Sequence, residues 1–327
     1  MTTAPNDPDS PDNNDPPNID YLPPIRNPAD EEKLRQFARD TRYPARQEIK
    51  LHRAIRRNDI DGVRTALANG VSPDGRFCGL SPITQCLRYE RPHIMRLLFE
   101  HNVSSPQPCT PENGFEDEIL LAAEKGNLDM LSALVAYREE KRGYRSRGFH
   151  FKPGYMDYAE PIHAAARGNE VPGCIGWLLE RGADVNEETP RWRTPLHFAV
   201  DRETARVGVV RYLLGMGADV DRVTDIGETA IYLAADRGNG RVVEELMKWS
   251  PRLDGRVEPD GKTVLHAAAA NCSLEVVKLL VEGGADVYAR DKEGRSILEY
   301  ARGSRRIETV DWIMGNTTLE TLVTEVF

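Results

Sequence analysis

Cysteine is scarce and unpatterned: five in 327 residues (Cys78, Cys86, Cys109, Cys174 and Cys272), odd in number and without a C-x-x-C pair. That excludes a disulfide framework and a thiolate zinc site, and it fits reduced thiols. Long apolar runs are missing as well. No uncharged stretch reaches the ~20 residues needed to cross a bilayer, so no membrane association is expected. The first residues show no basic start followed by an apolar segment, so a secretory signal is not expected and the anticipated location is cytoplasmic or nuclear. Excess positive charge is lacking too. The formal net charge of −9 speaks against general nucleic-acid binding, which needs clustered cations. There is no Gly-rich phosphate loop and no Gly-x-Ser-x-Gly elbow. Enzyme activity, cofactors and metals are therefore not expected.

What the chain does have is one short phrase, repeated. It reads Pro161-Ile162-His163-Ala164-Ala165, Thr194-Pro195-Leu196-His197-Phe198-Ala199, Thr229-Ala230-Ile231-Tyr232-Leu233-Ala234 and Thr263-Val264-Leu265-His266-Ala267-Ala268. From Glu160 through Thr194, Thr229 and Thr263 to a weaker copy at Ser296 the spacings are 34, 35, 34 and 33 residues. A Thr ahead of an apolar run can cap the first N–H groups of a helix, and Pro suits the first helical position because its missing N–H is not needed there. Paired alanines (Ala165-Ala166, Ala234-Ala235, Ala268-Ala269) let neighbouring helices approach, and Gly238 suits a left-handed residue that ends the helix. A second helix is written in the spacing of Val209, Val210, Leu213 and Leu214, and of Val276, Val277, Leu280 and Val281. It ends in Gly182-Ala183-Asp184-Val185-Asn186, Gly217-Ala218-Asp219-Val220-Asp221 and Gly284-Ala285-Asp286-Val287-Tyr288.

Period and phrase together closely resemble the ankyrin repeat family. The register extends to weaker copies at Leu51, Ser81, Leu120 and Ser296. The expected fold is an all-α solenoid of about eight helix-turn-helix repeats joined by hairpin-like loops, over residues 47–315. One repeat cannot bury its own apolar face, so stacking supplies the core. Residues 1–30, rich in Pro, Asp and Asn, are expected to be a disordered tail. Residues 31–46 read as an N-terminal capping helix through Leu34 and Phe37, and 316–327 as a C-terminal capping segment. Near 138–155 about ten residues exceed the period and read as a basic, aromatic surface loop. That loop is open to several readings: a solvated segment, a site for an acidic partner, a nuclear-import signal or an RNA contact.

Four of the seven histidines (His52, His163, His197 and His266) fall at one place in the repeat, which predicts a repeated structural hydrogen bond. His93, His101 and His150 remain, scattered and without metal-ligand spacing. Two departures from the pattern stand out. Ala230 and Tyr232 replace Pro and His in the sixth copy, and Ser250-Pro251-Arg252 replaces the Gly-Ala-Asp turn, which predicts a longer, reoriented loop.

The resemblance implies binding of a protein partner through a concave face of loop tips and first helices. On this sequence those positions are Arg191, Trp192, Arg193, Asp201 and Arg202, then Asp225, Ile226, Glu228, Asp236 and Arg237, then Asp260, Lys262 and Asn271, and last Lys292, Glu293 and Arg295. Trp192 stands where the family usually has Gly, between two arginines. Partner contact and packing over Tyr158 or Pro190 are both open for it. Asn186, eight residues after Leu178, resembles the asparagine modified by asparaginyl hydroxylases in such repeats. The expected function is a monomeric, non-enzymatic scaffold. The alternative is a substrate-recognition adaptor of a larger enzyme complex such as a ubiquitin ligase, docking through residues 18–46 or 316–327.

Overall fold

A computed structural model describes residues 46–75, 80–101, 118–142, 160–168, 172–201 and 207–316. The expected tail, the N-terminal cap up to residue 45, the segment 143–159, Arg202 and residues 317–327 lie outside the described residues. Sixteen helices form eight pairs among them: α1 (Arg46–Arg57) with α2 (Ile60–Ala68), α3 (Pro82–Tyr89) with α4 (Pro92–Glu100), α5 (Glu118–Glu124) with α6 (Leu128–Arg142), and α7 (Pro161–Gly168) with α8 (Gly173–Glu180). The later pairs are α9 (Pro195–Val200) with α10 (Val207–Gly215), α11 (Ala230–Asp236) with α12 (Gly240–Met247), α13 (Val264–Asn271) with α14 (Leu274–Glu282), and α15 (Ile297–Gly303) with α16 (Ile307–Asn316).

Each odd helix packs against its own even partner and against the odd helices before and after it. This makes an all-α, two-layer solenoid. First helices are covered on both sides, so all six residues of α9 are buried, whereas second helices bury one stripe, such as Val276, Val277 and Leu280 in α14. The small residues permit this: Ala165, Ala166, Ala234, Ala235, Ala268 and Ala269 are at most 3 % exposed. Approach is closest between α5 and α7, where a Cβ on Gly168 would lie 1.6 Å from the Glu124 carbonyl oxygen. Gly238 takes φ +68, as its place after α11 requires.

The phrase folds as its chemistry demands. At Thr194 the backbone N–H donates to His197 Nδ1 at 3.1 Å, so Nδ1 is the acceptor and the ring proton sits on Nε2. That Nε2–H donates to the Glu228 carbonyl, 31 residues on, at 3.1 Å. Thr263 and His266 repeat the arrangement, with Nε2 reaching the Arg295 carbonyl at 3.2 Å. His52 and His163 reach the Gly75 and Glu187 carbonyls at 2.7 and 2.8 Å. The four histidines are thus the repeated structural bond that their spacing predicts. In the sixth repeat the Thr229 hydroxyl still accepts the Tyr232 N–H at 3.3 Å, so the helix start survives without the imidazole. In the eighth, Glu299 takes the role of His and accepts the Ser296 N–H at 2.7 Å, a capping box in its usual chemical form.

The expected insertion at 138–155 begins differently from its reading as a loop. Residues 138–142 prolong α6 to 15 residues, because a charged run of good helix formers continues the helix past the point where its neighbours meet a Gly. The loop at Ser250 has the expected extra length but not the expected reorientation. It is one residue longer than its counterparts, yet it stays in line with them: Ser250 adopts φ +51 where Gly217 and Gly284 have φ +92 and +100.

Burial pushes the imidazoles of His163 and His197 down to about 4 and lowers His266 for the same reason. An unfolded histidine titrates near 6.5. Between those values the unfolded chain takes up protons that the folded chain refuses, so stability is whole above pH ~6.5 and falls as pH drops towards 4. For His163 and His197 the loss is roughly 3 kcal/mol each by the bottom of that window. The expected outcome is a melting midpoint that falls steeply between pH 7 and 5 in the wild type and more gently in a His163→Gln, His197→Gln variant. Equal slopes in calorimetry would refute the assignment.

Candidate interaction surface

Between repeats the chain forms fingers, closed turns at residues 189–193, 224–228, 257–262 and 291–295. Isolated antiparallel bridges pin three of them at Val223–Thr229, Val257–Lys262 and Arg290–Ser296. Side chains close the bases: the Thr189 and Thr224 hydroxyls accept the N–H groups of Arg193 and Glu228 at 3.2 and 3.1 Å, and Asp291 Oδ1 accepts that of Arg295 at 2.8 Å. Asn and Asp side chains also join turns one repeat apart. Asn186 donates to the Gly217 carbonyl at 3.1 Å and accepts from the Asp219 N–H at 2.8 Å, so both ends of its amide are engaged.

The fingers are bonded to one another. The N–H of Asp225 donates to the Arg191 carbonyl at 3.1 Å, that of Glu258 to Ile226 at 2.8 Å, and that of Lys292 to Asp260 at 2.8 Å. Four fingers therefore make one continuous row whose outward side chains hold fixed relative positions. The loop after Ser250 belongs to this row through two of these bonds.

Most charged residues expected at the surface are paired within the row. Asp201 accepts from Arg193 at 2.5 Å and from Arg237, in the next repeat, at 2.7 and 2.8 Å. Burial pushes Asp201 up, but the two guanidiniums outweigh it and hold its carboxyl below the usual range. Arg193 also lies over the Phe198 ring, 4.5 Å from its centroid. Lys262 pairs with Asp260 at 2.8 Å, and Lys292 pairs with Glu258. Arg295 pairs with Asp291 and Glu293 at 2.8 and 2.9 Å. Glu228 is half-buried against Thr224, and burial raises its pKa. Among the candidate cations that are described, Arg191 alone has no carboxylate partner. Asp225 and Ile226 are exposed at the neighbouring tip.

Trp192 is 55 % exposed and has φ +56, where the equivalent Gly227, Gly261 and Gly294 have φ +85, +71 and +80. A side chain in that region costs about 1–2 kcal/mol. Its own N–H donates to the Thr189 carbonyl at 2.8 Å, so the turn holds the residue there. Trp192 thus has over half its surface in solvent, and Tyr158, which the packing reading would have it cover, lies outside the described residues.

Sequence reasoning missed two clusters. Glu245, 4 % exposed, accepts from Arg211 at 2.8 and 2.9 Å and from Lys248 at 2.7 Å; these bonds hold its carboxyl down to about 2. Asp291 accepts from the Tyr300 hydroxyl and from Arg295, both at 2.8 Å. Arg211 and Glu245 are 34 residues apart, one period, and opposite charges at that separation were the available signal. Among the described residues there is no group of three potential metal ligands and no helix long and apolar enough to cross a membrane. Cys86, Cys174 and Cys272 are free and buried, and burial raises their thiols above the usual range, the latter two to about 11.

Stacked helix pairs with a bonded finger row define a class, the repeat solenoid. The particular family follows from comparison: the model for ankyrin repeats (3 copies) matches residues 119–224, 162–257, 204–291 and 231–321, and the chain belongs to the ankyrin repeat family. It is 27 % identical over 282 residues to the human transient receptor potential cation channel subfamily A member 1, covering 76 % of this chain and 25 % of that protein. It is 46 % identical over 43 residues to the Notch-regulated ankyrin repeat-containing protein A of Danio rerio, covering 13 % of this chain and 38 % of that one. The chain thus spans well under two thirds of either relative. Ankyrin repeats generally mediate protein–protein interactions, and the family is typically non-enzymatic.

The pairing at Asp201 yields a graded expectation. Asp201→Ala strands the largely buried Arg193 and should lower unfolding free energy by about 2 kcal/mol. Arg237→Ala removes a partner that is 47 % exposed and should cost under about 1 kcal/mol. Urea titration of both variants measures this, and equal losses would contradict it.

Proposed function

We propose that this chain is a non-enzymatic, monomeric protein-binding scaffold of the cytoplasm or nucleus, and that its contact surface is the finger row of repeats five to eight with the adjoining ends of the first helices. The observation that carries the reading is the chain of backbone bonds from Arg191 to Asp225, Ile226 to Glu258 and Asp260 to Lys292. A surface whose side chains are already fixed loses little further freedom when a partner docks, and that preorganisation favours affinity. Neutral pairing within the row suits it too, because exposed charges that are already compensated steer partners weakly. Specificity then rests on the few groups left uncompensated at the tips.

The test is affinity capture of the full chain from its own cell extract beside a variant with Arg191→Ser, Asp225→Ser, Ile226→Ser and Lys292→Ser. All four residues are exposed, so the variant should keep its melting midpoint and lose the recovered proteins. Recovery unchanged by the four substitutions would move the contact elsewhere. Recovery of enzyme-complex subunits that vanishes only when residues 1–45 are removed would favour the adaptor role instead.

A further inference from the structure

We propose that Trp192, with Arg191 beside it, is the anchor of this surface and inserts into an apolar pocket rimmed by carboxylates on a folded partner protein. The inference rests on the protein-binding reading above and adds the residue and the chemistry of the partner. Three further fingers fill this turn position with glycine, so the scaffold needs no side chain there. The sequence nevertheless puts its bulkiest residue type in a conformation that disfavours it, at a turn that bonds from Thr189 to Arg193 keep closed. Such residues concentrate where a binding surface uses them. Among the described residues the fold shows no gain in return. Trp192 is 55 % exposed, and among the described residues its ring stacks on no other ring and under no cation.

The shape selects the partner. A side chain on the tip of a protruding turn is convex, so the concavity must come from the other molecule, and a folded protein with a preformed pocket supplies one where an extended peptide does not. Arg191 is the one described candidate cation that the row leaves without a carboxylate partner, and it calls for carboxylates at the pocket rim. Ile226, 42 % exposed on the finger bonded to Arg191 through Asp225, widens the apolar part of the contact. Large aromatic and Arg side chains in this setting dominate binding energy when a pocket desolvates them.

The experiment has three arms on the full chain. Thermal melts of Trp192→Gly and Trp192→Asn should hold or exceed the wild-type midpoint, since both residues tolerate positive φ; a fall of several degrees would assign Trp192 to packing and overturn the proposal. The protein most enriched by the wild-type chain is then purified and titrated calorimetrically. Trp192→Gly should weaken it by about 30-fold or more, and Arg191→Glu by several-fold in a manner that salt reduces. Glu282→Ala, exposed on α14, should match the wild type. Unchanged affinity of Trp192→Gly overturns this inference and leaves the scaffold reading standing, whereas absence of any retained protein removes both. Sedimentation velocity completes the test: self-association abolished by Trp192→Gly would make the occupant a second copy and refute a foreign pocket.

Discussion

A single ring sets the geometry on which this molecule depends. In the fifth and seventh repeats the imidazole of the phrase faces two ways: Nδ1 completes the cap of its own helix, and Nε2–H reaches a carbonyl in the loop leading to the next repeat. Helix start and finger position are thereby fixed by one group, so repeats cannot slide relative to their fingers without losing both bonds. Burial of that ring keeps it neutral, and neutrality is what lets one nitrogen accept while the other donates. The stack is therefore held by apolar area in its layers and kept in register by a polar bond that burial strengthens.

Register, once fixed, determines which surface charges meet. Partners across repeats are separated by about one period: Arg211 and Glu245 by 34 residues, Lys292 and Glu258 by 34, Arg237 and Asp201 by 36. This explains why Arg237 and Lys292, which resemblance places at a binding surface, are already engaged. Arg193 and Arg237 share Asp201, and Arg295 rests on Asp291. They shape the surface by holding fingers and helix ends, and they leave a small remainder, Trp192, Arg191, Asp225 and Ile226, to distinguish one partner from another. The Glu245 cluster does the same on the outer layer, where a largely buried carboxylate ties α10 to α12.

Much of the architecture was legible because the phrase states it locally. Caps, small residues, left-handed turn positions and the apolar stripes of the second helices are all written within one repeat, and even the histidines announced a repeated bond by their period. What stayed illegible was relational. Whether Arg237 faces solvent or Asp201, 36 residues before it, depends on the rise between repeats, which no single window of sequence contains. The start of the expected basic loop at 138–142 failed for another reason: helix propensity there is unopposed, and a count of residues beyond the period does not say where the helix stops. Trp192 was legible as an anomaly, but its exposure and positive φ are properties of the folded turn.

The sixth repeat shows how the design tolerates a missing part. Tyr232 cannot supply the second bond of the imidazole, so the finger that follows, 257–262, loses the tie that His197 and His266 give theirs. That finger is instead held from its sides. Glu258 donates back to Ile226, Asp260 accepts forward from Lys292, and the guanidinium of Arg256 spans the Gly261 and Arg290 carbonyls at 3.1 and 2.6 Å. A cation that bridges two fingers replaces a ring that would have held one. The row stays continuous through the repeat whose phrase is least regular, because backbone groups left without one donor were met by another. A surface assembled in this way can vary at its tips without loosening its base, which is the property that a binding scaffold requires.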